Sequence, residues 1–259
     1  MLATMEHALS AEEMARKEGL LQRLDPRVKL IGLIALIIAA ALAHKLFVIG
    51  AIFVVALLLA LLSRVPLKTL LRRGWIGALI FTGLIALPAV FITPGEIVWR
   101  LPLLGLPITL TGLKSAAFLI ARVETAVTLS LLLVLCTPWA YTLKALRVLG
   151  IPAPLVVILG MTYRYIFLLI GAARDLLEAR QSRSVGAMEP SEGRRSAVAG
   201  IGVLLGKSVQ MSNEVHLAML ARGFRGEAWT IDEFIMSARD WIALAAFTAL
   251  VIIALMLGR

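Results

Sequence analysis

Long apolar runs separated by short polar links dominate the sequence. Each of five runs approaches the roughly 20 apolar residues with which an α-helix crosses the hydrocarbon core of a bilayer. Since only helices and closed barrels span membranes, the pattern predicts an all-α, polytopic membrane protein with about five transmembrane helices. The five runs cover residues 30–43, 46–62, 75–92, 115–136 and 241–257.

A sixth apolar run, residues 155–171, differs from the others because Arg164 lies near its centre, between Tyr163 and Tyr165. A charged side chain in mid-bilayer is energetically expensive. If this run crossed the membrane, the polar and arginine-rich residues 172–239 would also lie outside the cell. We therefore expect this run to pack on the cytoplasmic side, which gives five crossings, and six crossings remain the alternative.

The basic residues are distributed unevenly among the polar links. The chain is 60% hydrophobic and 16% charged, with a formal net charge of +10. The link between the second and third runs carries Arg64, Lys68, Arg72 and Arg73, whereas the link before it carries only Lys45. The positive-inside rule then predicts a multi-pass plasma-membrane protein with a cytoplasmic N-terminus. The positive charge is explained by topology, and no interleaving of aromatic and basic residues indicates nucleic-acid binding.

These patterns divide the chain into four expected segments. Residues 1–27 mix acidic and basic side chains and are expected to form a cytoplasmic amphipathic helix at the membrane surface. Residues 28–154 are expected to hold transmembrane helices one to four, with a Pro- and Gly-rich loop at 93–112. Residues 155–239 are expected to form cytoplasmic helices, and residues 240–259 a C-terminal transmembrane helix.

The cytoplasmic segment contains two predicted helices, 172–185 and 197–222, that end alike. Each ends in an arginine flanked by small residues. One such end has an ordinary explanation, because a basic last turn suits the helix dipole and glycine commonly stops a helix. A pair on one segment favours docking to a partner with two equivalent sockets, in which each guanidinium donates to carboxylates or carbonyls. The two ends are Ser182-Arg183-Ser184 and Ala221-Arg222-Gly223.

Residues that could carry catalysis or hold a metal are scarce in the sequence. The stretch "GIGVLLGKS" resembles a phosphate-binding loop, but Ile201 occupies the position where its first glycine is required. A single cysteine, Cys136, excludes an internal disulfide and a cysteine-based metal site. We therefore expect no catalytic residue, no metal ligand and no cofactor bound by this chain. Arg122 and Glu124, inside the fourth run, are expected to form an interhelical pair rather than a transport relay.

An ordered set of motifs along residues 20–230 resembles a known family. The motifs are "RLDPRVKLI", "ITLTGL" followed by Arg122, "CTPWAYTLKALRVLGIP", "YRYIFLL" and the two arginine ends. This order resembles the transmembrane T component of energy-coupling-factor transporters, the EcfT/CbiQ family. "RLDPRVKL" and the chain length are most similar to its cobalt and nickel branch.

The resemblance implies a division of labour among subunits. A T component lies between a substrate-binding membrane S component and two cytoplasmic ABC ATPases, which bind the ATP and magnesium. In that family, the ends of two cytoplasmic helices enter grooves on the ATPases. The resemblance therefore implies that the two arginine ends of this chain dock on ATPases. Ala221, Arg222 and Gly223 match the second family motif fully, whereas the first matches only at Arg183. The S component of the family lies on the apolar face of these helices. The resemblance therefore implies that Met211, Val215 and Met219 contact the S component.

Other functions remain open at the level of sequence. A T component for vitamin uptake would share the same motifs, since the substrate is bound by another chain. An ordinary ABC permease subunit would bind substrate itself but would carry one coupling helix rather than two arginine ends. An intramembrane enzyme would need paired acids, metal ligands or a nucleophile, and a membrane scaffold would need no motif.

Overall fold

The structure is a computed structural model that describes residues 14–15, 19–94, 96–100, 107–183, 190–225 and 236–258. The chain divides into two compact units. The membrane unit comprises Met1–Ala145 and Phe234–Arg259, and the arm unit comprises Leu146–Glu233. Most of the segment predicted to be an amphipathic helix, residues 1–13 and 16–18, lies outside the described residues, and residues 20–24 within it form a turn and a bend.

Helices make up most of the described chain. In order, the elements are α1 (Pro26–Leu42), α2 (Leu46–Leu62), α3 (Leu67–Leu70), a π-helical turn (Leu71–Trp75), α4 (Ile76–Ile92), β1 (Ile97–Arg100), β2 (Pro107–Thr109), α5 (Leu110–Cys136), α6 (Trp139–Val148), α7 (Ala153–Gln181), α8 (Pro190–Ala221) and α9 (Ala238–Gly258).

The all-α, polytopic membrane fold is confirmed. Among the described residues, four helical stretches are long and apolar enough to cross a membrane, namely Leu67–Phe91, α5, α7 and α9, and α2 is a shorter apolar helix. Large apolar side chains of α4 are exposed, with Phe81 at 68% and Leu84 at 69%. Such exposure suits a lipid environment. The choice between five and six crossings stays a prediction, since α7 also satisfies the length and composition of a span.

The core of the membrane unit is built from aliphatic side chains of α1, α2, α5 and α9. Leu33, Ile49 and Leu129 are fully buried there. Helix α1 approaches α9 closely at Gly32, where an added Cβ would lie 2.6 Å from the ring of Phe247. Glycine is required at this position because any side chain would displace that ring.

The motif "RLDPRVKLI" begins α1 and ties it to two other helices. Asp25 caps the helix by accepting a hydrogen bond from the Arg27 amide at 2.8 Å, and Pro26 occupies the first turn, where its missing N–H is harmless. The buried Lys29 Nζ donates to the carbonyl of Cys136 at the end of α5, over 3.1 Å. The Asp25 amide donates to Asp240 Oδ1 at 2.8 Å, which fastens α1 to the start of α9.

Helix α9 begins with a reciprocal cap. The Ser237 amide and hydroxyl both donate to Asp240 Oδ2, each at 2.9 Å, and the Asp240 amide donates back to the Ser237 carbonyl at 3.0 Å. The bond from the Ser237 amide to the Asp240 carboxylate is the carboxylate half of a capping box, with aspartate in place of the usual glutamate. Asp240 is 4% exposed, so its carboxylate joins the first turn of α9 to the first turn of α1 in a buried site.

The fourth predicted span contains two polar residues that do not pair as expected. Arg122 Nη2 donates to the carbonyl of Ala43, just beyond α1, at 2.7 Å, and its guanidinium lies over the Phe118 ring. Neither carboxylate oxygen of Glu124 accepts a hydrogen bond from the described residues. The interhelical contact of Arg122 is therefore made with backbone, and the prediction of an Arg122–Glu124 pair is wrong.

The Pro- and Gly-rich loop predicted at 93–112 contains a short antiparallel ribbon. Strands β1 and β2 pair with Ile97 opposite Thr109 and Arg100 opposite Pro107. The ribbon leads directly into α5, whose first turn is capped by the Thr109 hydroxyl accepting from the Gly112 amide at 3.2 Å. This cap starts the helix five residues before the predicted apolar run.

The arm unit consists mainly of two long helices. The predicted run 155–171 and the predicted helix 172–185 are one continuous helix, α7, of 29 residues. Helix α8 has 32 residues and begins at Pro190, seven residues before the predicted start at residue 197. A turn at Gly150, whose φ is +99°, precedes α7, and the Ile151 amide donates there to the Leu146 carbonyl at 3.2 Å.

Candidate functional site

The C-terminal end of α8 is held in a fixed conformation by a glycine turn. The Phe224 amide donates to the Met219 carbonyl at 3.0 Å, and the Gly223 amide donates to the Leu220 carbonyl at 3.0 Å. Gly223 has a φ of +79°, as this type of helix end requires. The turn leaves Arg222 exposed as the last residue before the chain reverses.

The C-terminal end of α7 also presents an exposed arginine. The Arg183 amide donates to the Arg180 carbonyl and the Ser182 amide to the Glu178 carbonyl, both at 3.0 Å. The Ser182 hydroxyl donates to the Ala179 carbonyl of its own helix at 3.0 Å, so its polar group serves the local turn. Ser184, the third residue predicted at this end, lies outside the described residues.

The two helices are fastened together close to the end of α7. Arg180 Nη1 donates to the hydroxyl of Ser196 at 2.7 Å and also to the Ser196 carbonyl. One turn further along α8, Gly200 is buried, and an added Cβ there would lie 3.5 Å from Leu176 Cδ2 and 3.4 Å from Arg180 Nη1. A small residue at this crossing allows the helices to approach closely. We call the Arg180–Ser196 contact, together with Gly200, the arm crossing.

This crossing sets the separation of the two arginine ends. Arg183 follows Arg180 by one helical turn, on the side of α8 where that helix begins. Arg222 lies at the opposite end of α8. With a rise of about 1.5 Å per residue between Ser196 and Arg222, the two ends are roughly 40 Å apart along the arm. The arm therefore presents two exposed guanidinium groups at opposite ends of one helical pair.

Beyond the crossing, α7 and α8 diverge and leave an apolar groove of about 500 Å³ between them. Met211, Val215 and Met219, the predicted contacts with a substrate-binding component, all line this groove and are half-buried. Their spacing of four residues places them on one face of α8. The opposite wall comes from α7 and includes Met161 and Tyr165. Ala218 of the same helix is exposed and is not among the described residues that line the groove.

The groove and the end of α8 share two side chains. Met219 and Phe224, whose backbones form the hydrogen bond that closes the glycine turn, both line the groove. Sequence reasoning missed Phe224, although an apolar residue directly after a helix-ending glycine is a known companion of this turn. A protein seated in the groove would therefore contact residues that hold Arg222 in place.

The exposed side chains of the arm are of types that serve in recognition. Within the described parts of the chain, no three His, Cys, Asp or Glu side chains lie close enough together to hold a metal ion. Exposed guanidinium groups donate forked hydrogen bonds to carboxylates and carbonyls, and methionines adapt to irregular apolar surfaces. Such groups occur at both ends of the arm and along its groove.

Comparison with known proteins gives a consistent set of relatives. The family model described as cobalt transport protein, CbiQ, matches residues 17–231. An uncharacterized protein of Methanocaldococcus jannaschii is 34% identical over 86% of this chain and 80% of its own length. The energy-coupling factor transporter transmembrane protein EcfT of Lacticaseibacillus paracasei is 29% identical over 85% of this chain and 88% of its own. The cobalt transport protein CbiQ of Rhodobacter capsulatus is 30% identical over 69% and 70%, respectively.

Proposed function

Because the chain belongs to the CbiQ family of cobalt transport proteins, we propose that it is the coupling subunit of an energy-coupling-factor importer. The chain is a multi-pass transmembrane component of a transporter of this type. In the proposed complex it transmits motion from two cytoplasmic ABC ATPases to a substrate-binding membrane component. The ATPases bind ATP and magnesium, and this chain catalyses no reaction itself.

The observation that carries the proposal is the pair of exposed arginines at opposite ends of one arm. Neither the Arg183 nor the Arg222 side chain makes a hydrogen bond or ion pair with another described residue. Their separation of roughly 40 Å is on the scale of a small domain, so each end suits its own ATPase subunit. An ordinary ABC permease subunit, which engages one ATPase through one helix, does not account for two such ends.

The mechanism follows from the stiffness of the arm. ATP binding favours one arrangement of the two ATPases over another, and arginines seated on those subunits move with them. Helices α7 and α8 are joined at the arm crossing, so displacement of the ends tilts the pair as a body. Such a tilt is a hinge or shear transition driven by the differential binding of ATP to two states.

The groove between α7 and α8 is the proposed seat of the substrate-binding component. Its lining is mostly apolar, and Met161, Met211 and Met219 supply flexible side chains that fit different partner surfaces. A membrane partner held there would be reoriented when the arm tilts. The transported substrate, proposed to be cobalt or nickel ion, is bound by that partner and not by this chain. Vitamin uptake through the same coupling machinery is the alternative.

Charge reversal at the two ends tests the proposal. The full complex is expressed with Arg183→Glu and Arg222→Glu combined, and ATPase co-purification and ATP-dependent uptake are measured. Loss of a buried, hydrogen-bonded charge contact costs about 2–5 kcal/mol, so two reversals should abolish assembly. Lys207→Glu is the matched control, because it reverses an exposed charge in the middle of α8. Wild-type uptake by the double variant would refute the proposed role of both ends.

A further inference from the structure

A second groove, in the membrane unit, lies where the chain enters the first helix. It has a volume of about 590 Å³ and lies between residues 19–24, the end of α2 and the start of α9. Nothing in the proposed coupling function uses it. We call it the arginine groove, and its lining includes Arg23, Arg64 and Arg239 together with the apolar residues Leu62, Ile242 and Ala246.

The walls of the arginine groove are fixed by hydrogen bonds. The Leu20 amide donates to the Leu62 carbonyl at 3.3 Å, and the Leu21 amide donates to the Ser63 hydroxyl at 3.3 Å. Gly19 lies so close to this turn that an added Cβ would be 2.6 Å from the Ser63 carbonyl oxygen. The Asp25–Asp240 contact described above fastens the same segment to α9. The groove is therefore a built feature of the fold rather than a gap beside a loose segment.

The charged side chains in the described part of the lining all carry the same sign. Arg23, Arg64 and Arg239 line the groove, and no carboxylate occurs among its described lining residues. Arg64 and Arg239 are exposed, and their side chains make no hydrogen bond or ion pair with the described residues. The nearby Asp240 is buried, and its carboxylate is already used by the Asp25 and Ser237 amides. The groove thus attracts an anion.

The polarity of the groove changes along the helices that form it. Arg239 lies in the first turn of α9, and Ala246 lies about 10 Å further along the same helix. Arg64 lies two residues beyond Leu62, which is the last residue of α2 and lines the apolar part. Leu62 is 56% exposed and Ile242 is 71% exposed. The groove therefore suits a ligand with an anionic end and an apolar tail. The anionic end would lie at the helix ends, and the tail would extend along the helices into the bilayer.

We propose that the arginine groove binds an anionic phospholipid of the surrounding membrane. The phosphate headgroup lies against Arg23, Arg64 and Arg239, and an acyl chain runs along Leu62 and Ala246. Free phosphate would be attracted by the same positive charge but would leave the apolar half of the groove exposed. Basic pockets at the ends of transmembrane helices are suited to anionic headgroups.

The test uses the full-length chain purified in a mild detergent and titrated with phosphatidylglycerol or phosphatidylcholine. Bound lipid is counted by native mass spectrometry. Phosphatidylglycerol should bind more tightly than phosphatidylcholine. Each arginine near a headgroup contributes roughly fivefold to affinity, so Arg23→Gln, Arg64→Gln and Arg239→Gln combined should weaken phosphatidylglycerol binding on the order of 100-fold.

A matched variant separates a specific groove from general surface charge. Combined Lys68→Gln, Arg72→Gln and Arg73→Gln removes the same charge from residues that do not line the groove, and should change the affinity by less than about twofold. Equal losses in both triple variants would overturn the proposal, as would equal binding of the two lipids.

A second variant tests the tail independently of charge. Ala246→Phe fills the apolar half of the groove and keeps all three arginines, so it should weaken phosphatidylglycerol binding while leaving the fold intact. Unchanged binding by this variant would show that no acyl chain lies there and would refute the proposed pose. Inorganic phosphate should not displace the lipid at equal concentration, and efficient displacement would identify a simple anion site instead.

Discussion

Removal of the Asp240 carboxylate is expected to loosen the membrane unit at the junction of α1 and α9. Asp240 accepts three hydrogen bonds, from the Asp25 amide at 2.8 Å and from the amide and hydroxyl of Ser237 at 2.9 Å each. In Asp240→Ala these donors lose their partner inside a site where Asp240 itself is 4% exposed. A buried donor left unpaired costs about 1–3 kcal/mol, and loss of the helix cap costs about 1 kcal/mol.

The two effects together predict a destabilisation of roughly 2–4 kcal/mol by Asp240→Ala. For a chain of this size, each kcal/mol lowers the midpoint of thermal unfolding by about 2–4 °C, so the expected decrease is on the order of 10 °C. Unfolding can be followed through the thiol of Cys136, because it is the one cysteine of the chain and is fully buried. A thiol-reactive fluorogenic maleimide reports unfolding in detergent when that thiol becomes accessible.

Two comparisons decide whether the reasoning about Asp240 is correct. Asp240→Asn retains one acceptor oxygen and should fall between wild type and Asp240→Ala. Asp175→Ala removes an exposed carboxylate of α7 and should leave the melting temperature close to that of wild type. If Asp240→Ala has the same melting temperature as Asp175→Ala, the buried contact of Asp240 with Asp25 and Ser237 does not stabilise the fold as argued.

Two further substitutions probe glycines that the structure requires. Gly32→Val should destabilise the membrane unit by about 1–3 kcal/mol, because the new side chain would collide with the ring of Phe247, which lies 2.6 Å from an added Cβ. The same maleimide assay checks this. Gly50→Val is the control, because Gly50 of α2 faces open space. Gly223→Val should fray the end of α8, because a β-branched residue is strained at a φ of +79°. Amide hydrogen exchange at Leu220 and Phe224 should then be faster than in wild type, and unchanged exchange would contradict the prediction.

The positions of several helices follow directly from the hydrophobic pattern. Helix α2 matches the predicted bounds because its apolar run is bordered by Lys45 and Ser63, which mark both the change of environment and the ends of the helix. Helix α7 shows where this logic fails. The apolar character stops near residue 171, but no Pro or Gly interrupts the backbone between there and Gln181, so the helix continues through the change in polarity.

The site was predictable to the extent that it depends on spacing along one helix. Met211, Val215 and Met219 share a face of α8 because they are four residues apart, and the structure brings them to one groove. The contact of Arg180 with Ser196 joins two helices, and no local pattern specifies which arginine of α7 meets which residue of α8. The strands β1 and β2 were missed because Pro and Gly usually indicate an irregular loop.

The position of the arm crossing makes the two arginine ends mechanically unequal. Arg180 fastens the helices one turn from Arg183 but about 40 Å from Arg222. If the arm pivots on this fulcrum by about 10°, simple leverage moves Arg222 by roughly 7 Å and Arg183 by only about 1 Å. The two proposed ATPases would therefore contact arm ends that move by different amounts. The end at Arg183 would stay almost in place, and the end at Arg222 would be displaced.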